Sequence, residues 1–180
     1  MAVPYFFYGE KEMIDMKVLS FDQSTRVSGW CLFEDGKYVC SGIIDMNKSK
    51  LDTDKRSFEM AKQLWKLLKE HKPDHLILEN VQQQSGVSTV IILARLQGMI
   101  IGYAEAHNIK AHILLPTQWR SELNYRQGPK VKRAELKQQS IDHIKEQYGL
   151  TLSEDESESI CINEAAHKIY GFAEDDLWGE

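Results

Sequence analysis

The sequence predicts an α/β domain with a five-stranded mixed sheet flanked by helices. Three apolar segments with strand character follow one another near the N-terminus, two of them joined by an Asp-Gly turn, which is typical of an antiparallel meander. Two shorter apolar runs then alternate with helical patterns, which is typical of crossover strands added to the same sheet. At 180 residues the chain is long enough to bury one sizeable core, so a single domain is expected.

The first three strands form the predicted meander. Asp35-Gly36 supplies a two-residue hairpin turn, because such turns need residues that tolerate positive φ angles. Counting outward from this turn places Cys31 opposite Cys40, and two buried thiols are favoured there over a disulfide. Three cysteines without zinc-site spacing indicate a reducing, cytoplasmic compartment. The strands are Lys17–Asp22, Ser28–Glu34 and Lys37–Asp45.

Helices and strands alternate through the rest of the chain. Helices are predicted where apolar residues recur at helical spacing, and strands where short apolar runs lie between turn residues. In chain order they are a helix at 56–71, a strand ending on Glu79, a helix at 88–107 capped near Ser88, a strand at 111–116, a short helix opened by Pro116, a basic helix at 131–148 and a last helix running from its Ser153 cap to about residue 170.

Residues 17–170 form the predicted domain, between an N-terminal extension at 1–16 and an acidic C-terminal tail at 171–180. The extension lacks the basic start and the long apolar core of a signal peptide. The net charge is −5, but the extension and the tail hold the excess acids, so the domain itself is close to neutral. The acidic composition is therefore compatible with a nucleic-acid partner.

The helix at 88–107 is apolar around nearly its whole circumference. One sheet face cannot cover such a helix, so either other helices bury the remainder or a second subunit does. Gly98 and Gly102 lie four residues apart and would permit close backbone approach on one side. A homodimer through this helix is favoured, with internal burial as the alternative. No membrane span is expected, because Arg95 and Gln97 interrupt the apolar stretch.

Two predicted strands end on an acid, Asp22 in VLSFD and Glu79 in LILEN. Burying an ionised carboxylate without a partner costs several kcal/mol or more, so a sheet that places acids there usually supplies a cation. A salt bridge to Arg or Lys, or simple exposure at the strand end, is the alternative for either acid taken singly.

The last predicted helix supplies two further inward acids. At roughly 100° per residue, Asp155 and Glu158 fall on the apolar stripe that faces the sheet. Glu156 points away and can form a capping box with Ser153. Glu154 lies between these directions and stays a possible substitute ligand.

Four acids from three separate elements make a poor structural core. They would make a site for hard divalent cations with oxygen ligands, for which Mg²⁺ or Mn²⁺ is expected. Two such ions roughly 3.5–4 Å apart would serve phosphodiester hydrolysis, because one activates the attacking water and the other stabilises the leaving oxygen. The pattern therefore predicts a nuclease.

A basic stretch between Trp119 and Lys137 is the candidate phosphate-binding surface. It holds six basic residues against two acids, and a solvated helix face is the alternative reading. The predicted DNA-binding residues within it are Arg126, Lys130, Lys132, Arg133 and Lys137.

Three stretches of the sequence match one known set of motifs. FDQSTRVSGW resembles the first motif of the RuvC family of Holliday junction resolvases, PDHLILENV its second, and DESESICI its closing helix motif. The match runs in order from about Lys17 to Tyr170 and looks closest to the phage and poxvirus branches. It implies a ribonuclease H-like fold, a homodimer, and Mg²⁺-dependent nicking of branched DNA that leaves 5′-phosphate and 3′-hydroxyl ends.

The resemblance also assigns residues. It implies catalytic and metal-binding roles for the four acids, and it places Lys130, Lys132 and Arg133 where the family has basic residues near the scissile phosphate. Two positions depart from the bacterial pattern, because Glu158 stands in place of an Asp and Gln82 in place of an aromatic residue. We expect relaxed activity on four-way junctions, forks and flaps. The four acids are Asp22, Glu79, Asp155 and Glu158.

Three other functions compete with this interpretation. FDQST also resembles the phosphate-binding strand of sugar kinases, but those need two such domains and a far longer chain. A catalytically silent protein that binds structured DNA would have no need of the four acids. A related nuclease with another target, such as an RNA–DNA hybrid or branched DNA in genome packaging, stays open.

Overall fold

The computed structural model describes residues 16–82 and 86–172. Within this part of the chain, strands and helices follow one another in the predicted order. They are β1 (Lys17–Asp22), β2 (Val27–Glu34), β3 (Lys37–Asp45), α1 (Thr53–His71), β4 (His75–Glu79), α2 (Val87–Ala106), β5 (Lys110–Leu114), α3 (Pro116–Glu122), α4 (Arg133–Tyr148) and α5 (Glu154–Tyr170).

The five strands form one mixed sheet in the order β3-β2-β1-β4-β5. β1, β2 and β3 pair antiparallel as a meander, whereas β4 pairs parallel with β1 and β5 parallel with β4. Helices α1 and α2 supply the crossovers that parallel neighbours require. The predicted fold class is confirmed.

The sheet separates two apolar layers. On one face, α5 packs across β1 and β2, with α3 and α4 beside it. On the other face, α1 covers the sheet and α2 packs against α1. Strand residues alternate between the layers, so Val18 faces α5 while Leu19 and Phe21 face α1. Each large apolar side chain buried in this way stabilises the fold by roughly 1.5–3 kcal/mol.

Several helix boundaries differ from the predicted ones. α1 begins at Thr53 because the Asp52 carboxylate caps it by accepting a hydrogen bond from the main-chain N–H of Lys55, at 2.8 Å. Ser88 is not a cap, because α2 already begins at Val87, and Gly86 occupies the N-cap position without a side-chain bond. α4 begins two residues later than predicted.

The pairing of β2 with β3 corrects the prediction for two cysteines. The Asp-Gly turn is present, but the register shifts between Leu32 and Phe33, as in a β-bulge. Cys40 therefore lies opposite Leu32, and Cys31 lies opposite Ser41. Because a one-residue shift exchanges the faces of a strand, the two thiols lie in different apolar layers. All three cysteines are free.

Helix α2 buries only one side. Leu96, Ile100 and Ala104 are fully buried, whereas Val87 is 65% exposed and Ile91 is 45% exposed. The described part of the chain thus leaves much of this apolar helix uncovered. By length and composition alone α2 could also cross a membrane. Arg95 and Gln97 therefore do not exclude a span, contrary to the prediction.

Both predicted flanking segments lie mostly outside the described residues. Met16, from the extension, is hydrogen-bonded to Asp35 in the hairpin turn through its main-chain N–H and C=O. Phe172, from the tail, is buried against the rings of His75 and His112. Packing of the domain therefore continues to Phe172.

Candidate active site

A cleft of about 660 Å³ opens at the carboxyl ends of β1 and β4. Its walls come from these strand ends and the residues that follow them, from the first turns of α2, α4 and α5, and from α3. In open α/β sheets this end of the strands is where ligands bind. The structure brings all four predicted acids to it, namely Asp22, Glu79, Asp155 and Glu158.

Asp22 and Glu79 lie side by side because their strands are parallel neighbours. Phe21 of β1 pairs with Leu78 of β4, and each acid is the next and last residue of its strand. Neighbouring strands lie about 4.8 Å apart. Since side chains alternate along a strand, both acids point to the face covered by α5.

Helix α5 approaches the sheet closely at Gly29. Gly29 is the partner of Asp22 in the β1–β2 ladder, and a Cβ atom there would lie 1.9 Å from the main-chain oxygen of Asp155. Deeper in the sheet, Ser20 Oγ donates a 2.7 Å hydrogen bond to the main-chain oxygen of Ser159. The missing side chain at Gly29 thus allows the first turn of α5 to bring its acids next to Asp22.

Burial and mutual repulsion disfavour ionisation of the cluster. Burial, followed by the charges of Glu158 and Glu79, raises the pKa of Asp22 well above its usual value. Burial and the charge of Glu79 raise the pKa of Glu158 to about 7. Burial also raises the pKa of Glu79 and of Asp155. The cleft therefore has a deficit of positive charge, which a cation would fill.

The predicted basic residues divide into two groups. Arg133 and Lys137, on the first turns of α4, line the cleft. Arg126 does not, because it is exposed and forms an ion pair with Glu135 at 2.8 Å. Exposed residues outside the cleft wall also include Lys130 and Lys132.

The first turn of α5 differs from the predicted arrangement at two acids. Glu156 does not point away, because its carboxylate accepts a 2.7 Å hydrogen bond from Ser41 Oγ on β3. The prediction used only the angle around the helix, whereas β3 of the twisted sheet also reaches this side of α5. Glu154 forms an ion pair with Lys137 and is not part of the cleft wall.

The family model of the crossover junction endodeoxyribonuclease RuvC matches residues 18–124, more than half of the chain. The chain belongs to the RuvC family. The matched segment includes Asp22 and Glu79, while the two helix acids lie beyond it.

Similar proteins and structures agree with the RuvC family. RuvC of Syntrophomonas wolfei is 29% identical over 130 residues, which cover 70% of this chain and 75% of that protein. The structure of T. thermophilus RuvC in complex with Holliday junction substrate has a TM-score of 0.66 at 12% identity, covering 87% of this chain and 94% of that one. The complex of Fowlpox virus resolvase with Holliday junction DNA has a TM-score of 0.60 at 18% identity, covering 86% and 99%. These structures support the ribonuclease H-like fold.

Sequence reasoning missed two residues that touch the acids of this RuvC-family cleft. Trp119 is fully buried, and its indole N–H donates a 2.8 Å hydrogen bond to Glu79 Oε1. Arg120 lies with one guanidinium nitrogen 3.4 Å from Glu158 Oε1 and 3.8 Å from Glu79 Oε1. Both come from α3, and the available sequence signal was an adjacent Trp and Arg in the short helix that follows β5.

Two glutamine side chains hold the main chain at Glu79. The amide groups of Gln23 and Gln97 both donate to the main-chain oxygen of Glu79, at 2.5 Å and 2.8 Å. Gln97 therefore has a structural role in α2. A third glutamine, Gln82, lines the cleft at the position where bacterial members of the RuvC family are expected to carry an aromatic residue.

The donor set suits a divalent cation, because hard cations take carboxylate oxygens. The ligands are not drawn together here, since residues 16–82 and 86–172 contain no group of three Asp, Glu, His or Cys side chains arranged to hold a metal ion. Arg120 provides positive charge between Glu79 and Glu158 instead. The residues thus fit a cation by chemistry and location, and binding would require the carboxylates to converge.

Proposed function

We propose that this RuvC-family chain is a Holliday junction resolvase, an endonuclease that hydrolyses phosphodiester bonds in four-way junctions and other branched DNA. Its reaction would depend on Mg²⁺, with Mn²⁺ as a substitute and two ions in each site. One observation carries the proposal, which is that four carboxylates from two strand ends and one helix line a single cleft beside basic residues.

The acids and the bases of the cleft have separate roles in this reaction. Asp22, Glu79, Asp155 and Glu158 would hold the cations. A bound divalent cation polarises the phosphoryl oxygens and lowers the pKa of bound water. Because the pKa of Glu158 is raised to about 7, the cleft becomes more negative, and a better cation site, as the pH rises through neutrality.

Basic side chains position the DNA backbone at the cleft. Arg133 and Lys137 lie on one wall, and Arg26, from the turn after β1, lies on another. Phosphate contacts of this kind fix the register of the nucleic acid without reading its sequence. Exposed Lys130 and Lys132 would extend the same positive surface beyond the cleft.

A second copy of the chain would complete the enzyme. Two exposed apolar residues, Val87 and Ile91, lie on α2, and exposed Gly98 and Gly102 continue along the same helix. A two-fold dimer through this surface would cover them and would present two clefts to one junction. Paired nicks in opposite strands of a four-way junction require two such sites.

Cleavage of labelled DNA substrates tests the proposed activity. We expect the wild-type protein with Mg²⁺ or Mn²⁺ to nick an end-labelled four-way junction in pairs, and to cut forks and flaps as well. Asp22→Asn should abolish this cleavage while DNA binding persists. Asp45→Asn is the matched control, because Asp45 also ends a strand but is exposed and outside the cleft.

Two results would overturn the assignment. Equal cleavage by wild type and Asp22→Asn would contradict the carboxylate site. Cleavage of an RNA–DNA hybrid alone, with the junction and linear duplex intact, would assign the cleft to a different substrate.

A further inference from the structure

Helix α3 brings two adjacent side chains against the acids of the cleft, Arg120 from the cleft wall and Trp119 from the core behind it. Trp119 is fully buried, and the Arg120 side chain is 13% exposed. Trp119 is not among the predicted site residues, and Arg120 was predicted only as one base of the phosphate-binding stretch. Their contacts with the acids, however, differ in kind.

Trp119 holds one carboxylate oxygen by a directed hydrogen bond. Indole N–H is only a donor, and here it donates to Glu79 Oε1 at 2.8 Å. The ring is fixed in the core and meets Tyr125 edge-on, with the ring centroids 5.8 Å apart. A rigid donor to a carboxylate oxygen gives a bond with a defined direction, which strengthens when the carboxylate is ionised. Trp119 therefore restricts the orientation of Glu79.

Arg120 places a permanent positive charge between two of the acids. Its terminal nitrogen lies 3.4 Å from Glu158 Oε1 and 3.8 Å from Glu79 Oε1. The guanidinium carbon lies 4.6 Å from the centroid of the Trp119 ring, in a cation–π contact. The buried Nε of Arg120 has no hydrogen-bond partner. The guanidinium is therefore held by the ring and the carboxylates, in a region where divalent cations would also neutralise those carboxylates.

We propose that Trp119 and Arg120 are positioning residues with opposite effects on cation binding. Trp119 orients Glu79 as a ligand, so it favours the cation. Arg120 neutralises Glu79 and Glu158 while no cation is bound, so it competes with the cation and moves aside when one binds. This inference rests on the proposed cation-dependent function.

The two roles predict shifts of opposite sign. Loss of a hydrogen bond that orients a metal ligand typically weakens metal binding about 10–100-fold. Loss of a competing positive charge strengthens it, because like charges repel at short range. A purely structural role for Arg120 could not tighten cation binding when the residue is removed.

Titration of the full chain with Mn²⁺ in the absence of DNA measures both effects. Free Mn²⁺ is followed by electron paramagnetic resonance at one fixed pH. We expect Trp119→Phe to weaken Mn²⁺ binding at least tenfold and Arg120→Gln to tighten it at least threefold. Arg120→Lys, which keeps the charge, should stay near the wild-type affinity.

Two matched controls separate these effects from general damage. Trp65 also donates its indole N–H, to the main-chain oxygen of Met99 at 3.1 Å, and Arg95 also forms an ion pair, with Asp54 at 3.6 Å. Neither Trp65 nor Arg95 lines the cleft. Trp65→Phe and Arg95→Gln should leave Mn²⁺ affinity unchanged.

Each outcome of the titration decides the inference. Unchanged affinity in a folded Trp119→Phe, or unchanged or weaker affinity in Arg120→Gln, would overturn it while Asp22→Asn still loses Mn²⁺ binding. If Trp119→Phe fails to fold, as judged by circular dichroism, the sign of the Arg120→Gln shift decides alone. If wild type and Asp22→Asn both fail to bind Mn²⁺, the proposed metal-dependent function fails, and this inference fails with it.

Discussion

Helices α2 and α5 reverse the usual relation between composition and burial. α2 is apolar, yet Val87 and Ile91 are largely exposed. α5 opens with three acidic residues, yet it is buried along most of its length, including the carboxylate of Glu158. The same domain therefore leaves apolar surface in water and places charge in the interior.

The difference follows from where each helix lies. α5 crosses the central strands and is covered by α3 and α4, whereas α2 packs mainly on α1 at one side. The position of a helix in the fold thus decides how much of it is buried. Its composition indicates which further partner it requires. For α2 that is a second apolar surface, and for α5 it is positive charge.

The largest effect is expected from a substitution that prevents a second copy of the chain from packing on α2. Ile91→Glu should turn the proposed dimer into a monomer, raising its dissociation constant at least about a hundredfold, because a two-fold interface would bury two carboxylates among apolar groups. Sedimentation velocity measures this shift. Ile43→Glu is the matched control, because Ile43 is 43% exposed on β3, away from α2. A wild-type protein that is monomeric at high concentration would contradict the α2 interface.

An intermediate effect concerns the charge buried under α5. The pKa of Glu158, about 7 in the fold, exceeds the value of about 4.3 expected in the unfolded chain. Between these values the folded protein binds more protons, so the free energy of unfolding of the metal-free protein falls as the pH rises from about 4.3 through 7. At about 1.4 kcal/mol for each pKa unit, the loss reaches about 4 kcal/mol once the pH is well above 7.

Urea unfolding from pH 5 to 8 measures this loss. Glu158→Gln should flatten the pH dependence, and added Mg²⁺ should restore stability at pH 8 by binding the ionised acids. A free energy of unfolding that rises with pH in the absence of metal would contradict the raised pKa of Glu158.

The smallest expected effect tests how closely α5 is seated on the sheet. Gly29→Ala should lower the free energy of unfolding by about 1–3 kcal/mol, because its Cβ would meet the main-chain oxygen of Asp155 and displace the first turn of α5. Gly86→Ala is the control, since nothing lies within 4 Å of a Cβ there. Equal stabilities for the two variants, measured in urea, would show that α5 does not depend on this contact.

Most of the fold and the four acids could be predicted because their signals are local. Apolar runs ended on Asp22 and Glu79, and helical spacing placed Asp155 and Glu158 on the face toward the sheet. The antiparallel meander followed from the Asp-Gly turn, and the crossover strands followed from the alternation of strands with helices. Each of these features is set by neighbouring residues in the chain.

The features that could not be predicted depend on distant contacts. The register shift at Leu32, which separates Cys31 from Cys40, has no mark in the local sequence. Glu156 faces Ser41 because the twisted sheet reaches a side of α5 that the helical geometry alone leaves open. Trp119 is separated from Glu79 by 40 residues in the chain. Its role appears only when α3 packs under the cleft.

The pairing of β1 with β4 has a consequence for how this family can diverge. The spacing of Asp22 and Glu79 is set by main-chain hydrogen bonds between two central strands, which nearly any apolar sequence can form. Residues 80–82, after β4, and the basic segment before α4 lie outside both strands. Changes of sequence in these segments therefore leave the separation of the first two carboxylates unchanged.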